Sequence, residues 1–348
     1  MTLKRGAEDG KNGLAITEAE AELYDRQIRL WGLDAQKRLR ASCILVIGLN
    51  GVGAEICKNL VLSGIKSLTM LDHHPVTEED FLSQFLIPKE DLGKNRAEAS
   101  LQRAKELNPM VQVTADCDDI SSKPDTFFKD FDVVITTGCS LDTLSKLNEI
   151  CHVNKVKFYA ADVFGFYGYM FADLGCHRYV EEQKKTIKAS EPKRKKPNKE
   201  DTETVLVEKF AEFYRFKDAL CCKLDESTPP KTLKRISSVY FILQVLFRFM
   251  KKHGREPKVQ SLDQDTKELQ RLRDVVMEEL KLDKTLIDEN FSSFNFRHCT
   301  ASLSPVCAIV GGVVGQEVVK AVSGRDSPLN NFFFYDGLEG HGMVECFK

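Results

Sequence analysis

Gly48-Leu49-Asn50-Gly51-Val52-Gly53 has the glycine spacing of a loop that cradles phosphates, and Asp72, about 20 residues further on, stands where an acid would hold a ribose. In such a loop the first glycine makes a tight turn. The second lets the backbone approach the phosphates, and the third lets a helix pack close to its strand. Gly48 and Gly53 fill the first and third places, but Asn50 occupies the second, where a side chain intrudes on the space of a phosphate. Two readings stay open from these residues alone: a turn kept for its fold, or an intact nucleotide pocket. Other reactive groups are less organised. The 11 cysteines include no C-x-x-C pair, and no neighbouring base marks one as a thioester nucleophile; adjacent Cys221-Cys222 reads as incidental. His73-His74 lacks the carboxylate and histidine spacing of a metal site and reads as a pair of surface or capping histidines, so no metal ligands are expected. Lys193-Arg194-Lys195-Lys196 is either a nuclear-import signal or a solvated loop.

Such a loop functions only if a strand enters it and a helix leaves it. Cys43–Gly48 is continuously apolar, as buried parallel strands are, and an amphipathic helix over Ala54–Leu62 follows the glycines. A strand over Ser67–Leu71 then delivers Asp72. The alternation continues with a helix near Lys94–Leu107 and strands at Val111–Ala115 and Asp132–Thr136. Next come a helix at Leu141–Val153 and a strand at Val156–Ala161. Strands alternating with helices of this length imply βαβ units and a doubly wound parallel sheet. Residues 166–180 read as two antiparallel additions, followed by helical patterns at Thr232–His253 and Asp265–Leu280. A small-residue helix over Pro305–Val322 and strands at Asn331–Tyr335 and Met343–Cys346 close the chain. Gly311 and Gly315, on one face of that helix, imply close helix packing. Before the glycine strand, Thr17 and Glu20 form a capping-box pattern. Tyr24, Ile28, Trp31, Ala35 and Leu39 make one apolar stripe after it, leaving Arg26 and Arg29 outside, with Gly32 bending or interrupting the helix.

With 348 residues the chain suits one large α/β domain or two modules, and 50 basic against 52 acidic residues argue against a nucleic-acid binder. A hydrophobic share of 42% with 29% charged residues excludes a mostly disordered chain. No apolar run reaches the roughly 18 residues that span a bilayer, and Met1–Gly13 lacks the apolar core of a secretory signal. Free cysteines in odd number point to a reducing compartment, cytosol or nucleus.

Leu23-Tyr24-Asp25-Arg26-Gln27-Ile28-Arg29-Leu30-Trp31-Gly32 resembles the opening signature of the ubiquitin-like activating enzymes and their bacterial adenylating relatives. Pro305-Val306-Cys307-Ala308-Ile309-Val310-Gly311-Gly312, with Gln316-Glu317-Val318-Val319-Lys320, is similar to that family's late helix. Asn331-Phe332-Phe333-Phe334-Tyr335-Asp336-Gly337 is similar to its closing strand. The chain length, the stretch Asp162 to Tyr169 and the basic loop look most like the small-subunit, Aos-type branch, which serves the modifier SUMO. The resemblance implies an α/β, doubly wound, Rossmann-like adenylation (ThiF/MoeB-like) fold with a short, mostly helical insertion. The expected divisions are a flexible N-terminus (1–16), a first part of the adenylation domain (17–182), a basic disordered loop (183–204), the insertion (205–300) and a final part (301–348).

Active members of the family use ATP and Mg²⁺ to adenylate the C-terminal glycine of a ubiquitin-like protein. Against their pocket motif, Asn-x-Asn-Arg-Gln-Phe, this chain reads Asp80-Phe81-Leu82-Ser83-Gln84-Phe85, with Ser83 in place of arginine. Arg96 replaces a phosphate-binding lysine, and the Mg²⁺-holding Asp-Asn-x-x-x-Arg aligns with Cys139, Ser140 and Leu144. A neutral thiol is a poor ligand for Mg²⁺. The resemblance thus implies a degenerate pocket at Gly48, Asn50, Gly53, Asp72, Ser83, Arg96 and Cys139 that binds no cofactor. Arg26 matches the arginine that reaches in trans to the triphosphate on the other subunit. The expected role is the non-catalytic half of a heterodimer whose larger subunit binds ATP, Mg²⁺ and SUMO and carries the thioester cysteine. The isolated chain is expected to be inactive, with no nucleic-acid or membrane partner, in the nucleus and also the cytoplasm. The rivals are a small subunit serving another modifier such as NEDD8, an ordinary Rossmann dinucleotide enzyme, and an independent adenylating homodimer.

Overall fold

The computed structural model describes residues 17–186, 202–220, 235–280 and 296–348. The expected flexible N-terminus, the basic run Lys193–Lys196 and Cys221-Cys222 lie outside the described residues. Thr17 caps the first helix as its capping box requires. The expected helix, bent or interrupted at Gly32, is three short ones: α1 (Glu18–Leu23), α2 (Asp25–Trp31) and α3 (Leu33–Ala41). The chain breaks at Tyr24 and again at Gly32, whose φ of 89° no L side chain adopts easily.

From there the βαβ reading holds. The elements in order are β1 (Cys43–Ile47), α4 (Gly51–Ser63), β2 (Ser67–Leu71), α5 (Arg96–Leu107), β3 (Gln112–Asp116), β4 (Val133–Thr136), α6 (Leu141–Val153), β5 (Lys157–Phe164) and β6 (Tyr167–Asp173). After them come β7 (Cys176–Thr186), β8 (Thr202–Glu212), α7 (Phe216–Leu220), α8 (Ser238–His253), α9 (Leu262–Glu279), α10 (Ser304–Ser323), β9 (Phe332–Asp336) and β10 (His341–Glu345). The main sheet has eight strands in the order β10-β9-β6-β5-β4-β1-β2-β3. β3, β2, β1, β4 and β5 run parallel, while β6, β9 and β10 are antiparallel. Leu45 faces Thr69 of β2 on one side and Val134 of β4 on the other. The strand order therefore reverses between β1 and β4, and a crevice opens beyond their carboxyl ends.

Two apolar layers hold the sheet. Val46, Val52, Ile56, Val310 and Val314 belong to the layer with α3, α4, α5 and α10. Phe158, Phe171, Phe247, Leu269 and Phe332 belong to the layer with α6, α7, α8 and α9. Two expectations change here. β7 does not extend the main sheet, because β9 already occupies the free edge of β6; it pairs with β8 as a separate ribbon, Arg178 facing Phe210. That ribbon runs into both ends of the segment expected to be loop, and it puts a strand at the start of the insertion. The second concerns membrane-spanning length: α10 is a 20-residue helix long and apolar enough to cross a bilayer by length and composition. It is a mostly buried core helix, packed on α4 and the sheet. Gly311 and Gly315 permit that approach, since a Cβ on them would lie 2.5 Å from Glu55 Cβ and 2.8 Å from Asn59 Cβ.

Candidate functional site

The glycine turn after β1 is built as its spacing predicts. Gly48 has φ 85°, and a Cβ there would fall 2.2 Å from the Thr137 carbonyl oxygen. A Cβ on Gly53 would meet the Gly48 carbonyl oxygen at 2.1 Å, so the third glycine is what lets α4 start against β1. Asn50 is the N-cap of α4: its Oδ1 accepts the Gly53 N–H at 3.0 Å. Its Nδ2 donates to Asp162 Oδ1 at 3.1 Å, and Asp162 Oδ2 accepts the Gly138 N–H beyond β4 at 2.8 Å. A side-chain bridge thus crosses the switch point where a phosphate would approach the helix N-terminus. The Asp162 carboxyl, buried at the end of β5, is pushed up to about 6 by that burial, against the hydrogen bonds from Gly138, Val163 and Asn50.

The remaining predicted pocket residues lie about this crevice, each engaged by another group of the chain. Asp72 is buried; its Oδ2 accepts the Leu49 N–H at 2.8 Å, and its Oδ1 accepts the His74 N–H at 2.9 Å. Burial pushes the Asp72 carboxyl up, but the bonds from His74 and Leu49 and the charge of Arg96 outweigh it and hold the group below the usual range. Arg96, at the start of α5, forks onto Asp80 at 3.1 Å through both Nε and Nη2, and its Nη1 lies 3.8 Å from Asp72. Its charge is spent within the chain. Ser83 donates to Ser302 Oγ at 3.1 Å, and Ser302 lies 3.2 Å from Cys307 Sγ at the head of α10. Cys139 donates to the Thr137 carbonyl oxygen, and burial, with Asp162 and Asp72 nearby, pushes its thiol up to about 12. Ser140 is the N-cap of α6, and Leu144 is a core residue, so both have structural work. Asp162, Glu256 and Glu79 bring acidic groups here while Arg96 is paired with Asp80 and Cys139 stays neutral, a set that repels a triphosphate and does not answer its charge.

Glu256 is the residue that sequence reasoning missed. It sits in the connection between α8 and α9, where nothing in its neighbourhood of sequence marks a site. Arg255 beside it forks onto Asp265 at 2.8 Å through both terminal nitrogens, and the Lys258 N–H adds a bond to the same carboxylate at 3.0 Å. So fixed, the connection carries Glu256 over the crevice. Its side chain is solvent-accessible but hemmed in by protein, and that enclosure, then repulsion from Asp162, pushes it up to about 7 against the pull of Arg96. Asp162 carries a readable signal, a lone acid within an otherwise apolar stretch from Phe158 to Phe164.

Arg26 lies elsewhere. Its motif is tied to the far end of α4: Asn108 donates to the Tyr24 hydroxyl at 2.8 Å and Gln27 Nε2 donates to the Leu62 carbonyl at 3.1 Å. Trp31 donates to Gln36, which in turn donates to the Ser63 carbonyl. Arg29 pairs with Asp25 at 3.0 Å, whereas Arg26 is exposed with no hydrogen bond or ion pair among the described residues. Leu62 is eleven residues past Gly51, about 16 Å along the helix at its usual rise, so Arg26 is remote from its own chain's crevice. Among the described cysteines with a displaced pKa, every displacement is upward: burial pushes Cys151 to about 12 and Cys307 to about 11, and raises Cys57, Cys117 and Cys299.

A family model described as the ThiF family matches residues 24–348. The chain belongs to the ThiF family. Among its relatives, SUMO-activating enzyme subunit 1 of Homo sapiens is 49% identical over 339 residues, covering 96% of this chain and 97% of its own length. SUMO-activating enzyme subunit 1 of Danio rerio is 48% identical over 344 residues, covering 97% and 98%. The subunit 1 of Mus musculus is 48% identical over 331 residues, covering 94% and 93%. The crystal structure of PaaA aligns with a TM-score of 0.57 at 15% identity, covering 98% of this chain and 78% of that one, a likeness of fold. The expected adenylation-type α/β architecture is thus that of a ThiF family chain.

Proposed function

We propose that this chain acts in SUMO activation as the non-catalytic half of a heterodimer, completing the fold and lending Arg26 to a nucleotide bound by its larger partner. The relatives' name speaks for SUMO and, as a numbered subunit, for a second chain. The observation that carries the division of labour is the contrast between the two candidate sites. In the chain's own crevice Asn50, Asp72 and Arg96 are engaged by other groups of the same chain, while Arg26 is unengaged among the described residues and held on a motif anchored to α4. In adenylation the modifier's terminal carboxylate attacks the α-phosphorus of ATP, the bond to the β-phosphate oxygen breaks, and pyrophosphate leaves. In this reading ATP, Mg²⁺, SUMO and the thioester cysteine all belong to the partner. The guanidinium contributes charge-assisted hydrogen bonds to phosphate oxygens as negative charge shifts onto the leaving group.

Arg26→Ala is expected to lower ATP–pyrophosphate exchange by the reconstituted heterodimer by about two orders of magnitude, the scale of losing one preorganised donor. Assembly is expected to persist, because Tyr24, Ala35 and Leu39 stay buried in place. Arg26→Lys recovers part of the rate, since an ammonium keeps the charge and loses the fork. Unchanged exchange in a complex that elutes normally on gel filtration would refute the role. The proposal also assigns a nuclear location: replacing Lys193, Arg194, Lys195 and Lys196 with alanine moves the protein toward the cytoplasm without altering exchange in vitro.

A further inference from the structure

The loop after β2 carries three adjacent donors, and the turn after β3 brings a fourth, Asp119, beside them. Asp72, His73 and His74 each offer one donor atom such that the three lie within 4.8 Å of one another. His74 Nδ1 sits 2.8 Å from Asp72 Oδ1, a carboxylate already buried and fixed by the Leu49 N–H. That contact engages Nδ1 and leaves Nε2, on the other side of a half-exposed ring, as the nitrogen Asp72 does not hold. A buried carboxylate holding the second nitrogen of an imidazole is the arrangement that orients metal-binding histidines. The His73 ring centroid lies 3.9 Å from that of His74, and His73 Nε2 lies 3.9 Å from Asp119 Oδ2. Asp119 is itself held by the Ser121 N–H, which it accepts at 2.8 Å in the turn after β3.

We propose that His73, His74 and Asp119 form a binding site for a divalent transition ion of the Zn²⁺ type, with Asp72 as the positioning carboxylate behind His74. Two imidazoles with one carboxylate suit Zn²⁺, Ni²⁺ or Cu²⁺ and not Mg²⁺, which takes oxygen ligands. The site borders the crevice through Asp72 and is independent of the role of Arg26. A bound cation there uses the carboxylate that a ribose would need.

The test is titration of the full chain with Zn²⁺ against a chromophoric chelator at neutral pH, with Co²⁺ as the spectroscopic probe. One equivalent of Zn²⁺ is expected, with Co²⁺ giving tetrahedral d–d bands free of thiolate charge transfer. His73→Gln and His74→Gln, both at exposed positions, weaken binding at least tenfold. Asp119→Asn and Asp72→Asn weaken it roughly tenfold, the effect of losing a carboxylate near the metal. His341→Gln, on β10 at the opposite edge of the sheet, leaves it unchanged. Absence of the equivalent, affinity indifferent to both histidine substitutions, or a thiolate charge-transfer band would each overturn the site.

Discussion

Asn50 and Asp162 decide what the glycine turn can do. An asparagine that caps α4 with one end of its amide and bonds a buried acid with the other closes the helix N-terminus more firmly than an absent glycine alone. Asn50→Ala is expected to cost about 1 kcal/mol, the worth of an N-cap, measured by urea unfolding. Asp162 makes the turn sensitive to pH. Its folded pKa, about 6, stands above the ordinary 3.8, so the folded chain binds this proton more tightly than the unfolded one. Stability from this group is therefore greatest below pH 4 and declines as pH rises toward 6. Asp72, held below its usual range, acts in the opposite sense and loses its contribution as pH falls. Asp162→Asn is expected to remove the decline, so that the variant gains on the wild type between pH 4.5 and pH 7. A parallel pair of stability-versus-pH curves would refute the assignment.

At the scale of elements, the sequence read well wherever one local period governed the outcome. β2 and α6 begin and end where their patterns do, because buried strands are continuously apolar and helices bury one stripe. The misreadings arose where a distant element decided. Nothing between Cys176 and Thr186 announces that β9, about 150 residues later, will take the edge of β6 and send β7 to pair with β8. The break at Tyr24 likewise accompanies docking near the end of α4, whereas the break at Gly32 falls where the glycine itself marks it. α10 supplies a test of the packing argument. Gly311→Ala puts a Cβ 2.5 Å from Glu55 Cβ and is expected to destabilise the chain by about 1–3 kcal/mol, as overpacking does. Gly312, one residue on, has nothing within 4 Å of an added Cβ, so Gly312→Ala is expected to stabilise the isolated chain by up to about 1 kcal/mol. Equal effects in thermal unfolding would show that α10 does not approach α4 as described.

On the scale of the whole molecule, the crevice is closed by groups from segments far apart in sequence. Asn50 comes from the β1 turn, Ser83 and Asp80 from the segment after β2, Asp162 from β5, Ser302 from the approach to α10, Cys307 from its first turn, and Glu256 from the insertion. Motif comparison exposed the substitutions at Asn50, Ser83, Arg96 and Cys139, since each departs from a spaced pattern. It could not expose Glu256, whose role depends on an Arg255–Asp265 fork that carries an insertion loop across the sheet. This distribution governs what mutation can restore. Asn50→Gly reopens the turn but leaves Arg96 paired with Asp80 and leaves Glu256 and Asp162 facing any incoming phosphate. The isolated chain, wild type or Asn50→Gly, is therefore expected to show no saturable ATP binding in equilibrium dialysis and no pyrophosphate exchange with SUMO. Adding the larger subunit is expected to produce exchange that depends on Arg26. Robust exchange by the isolated wild-type chain would mean that its own crevice accepts nucleotide after all, and would favour an adenylating homodimer over a divided heterodimer.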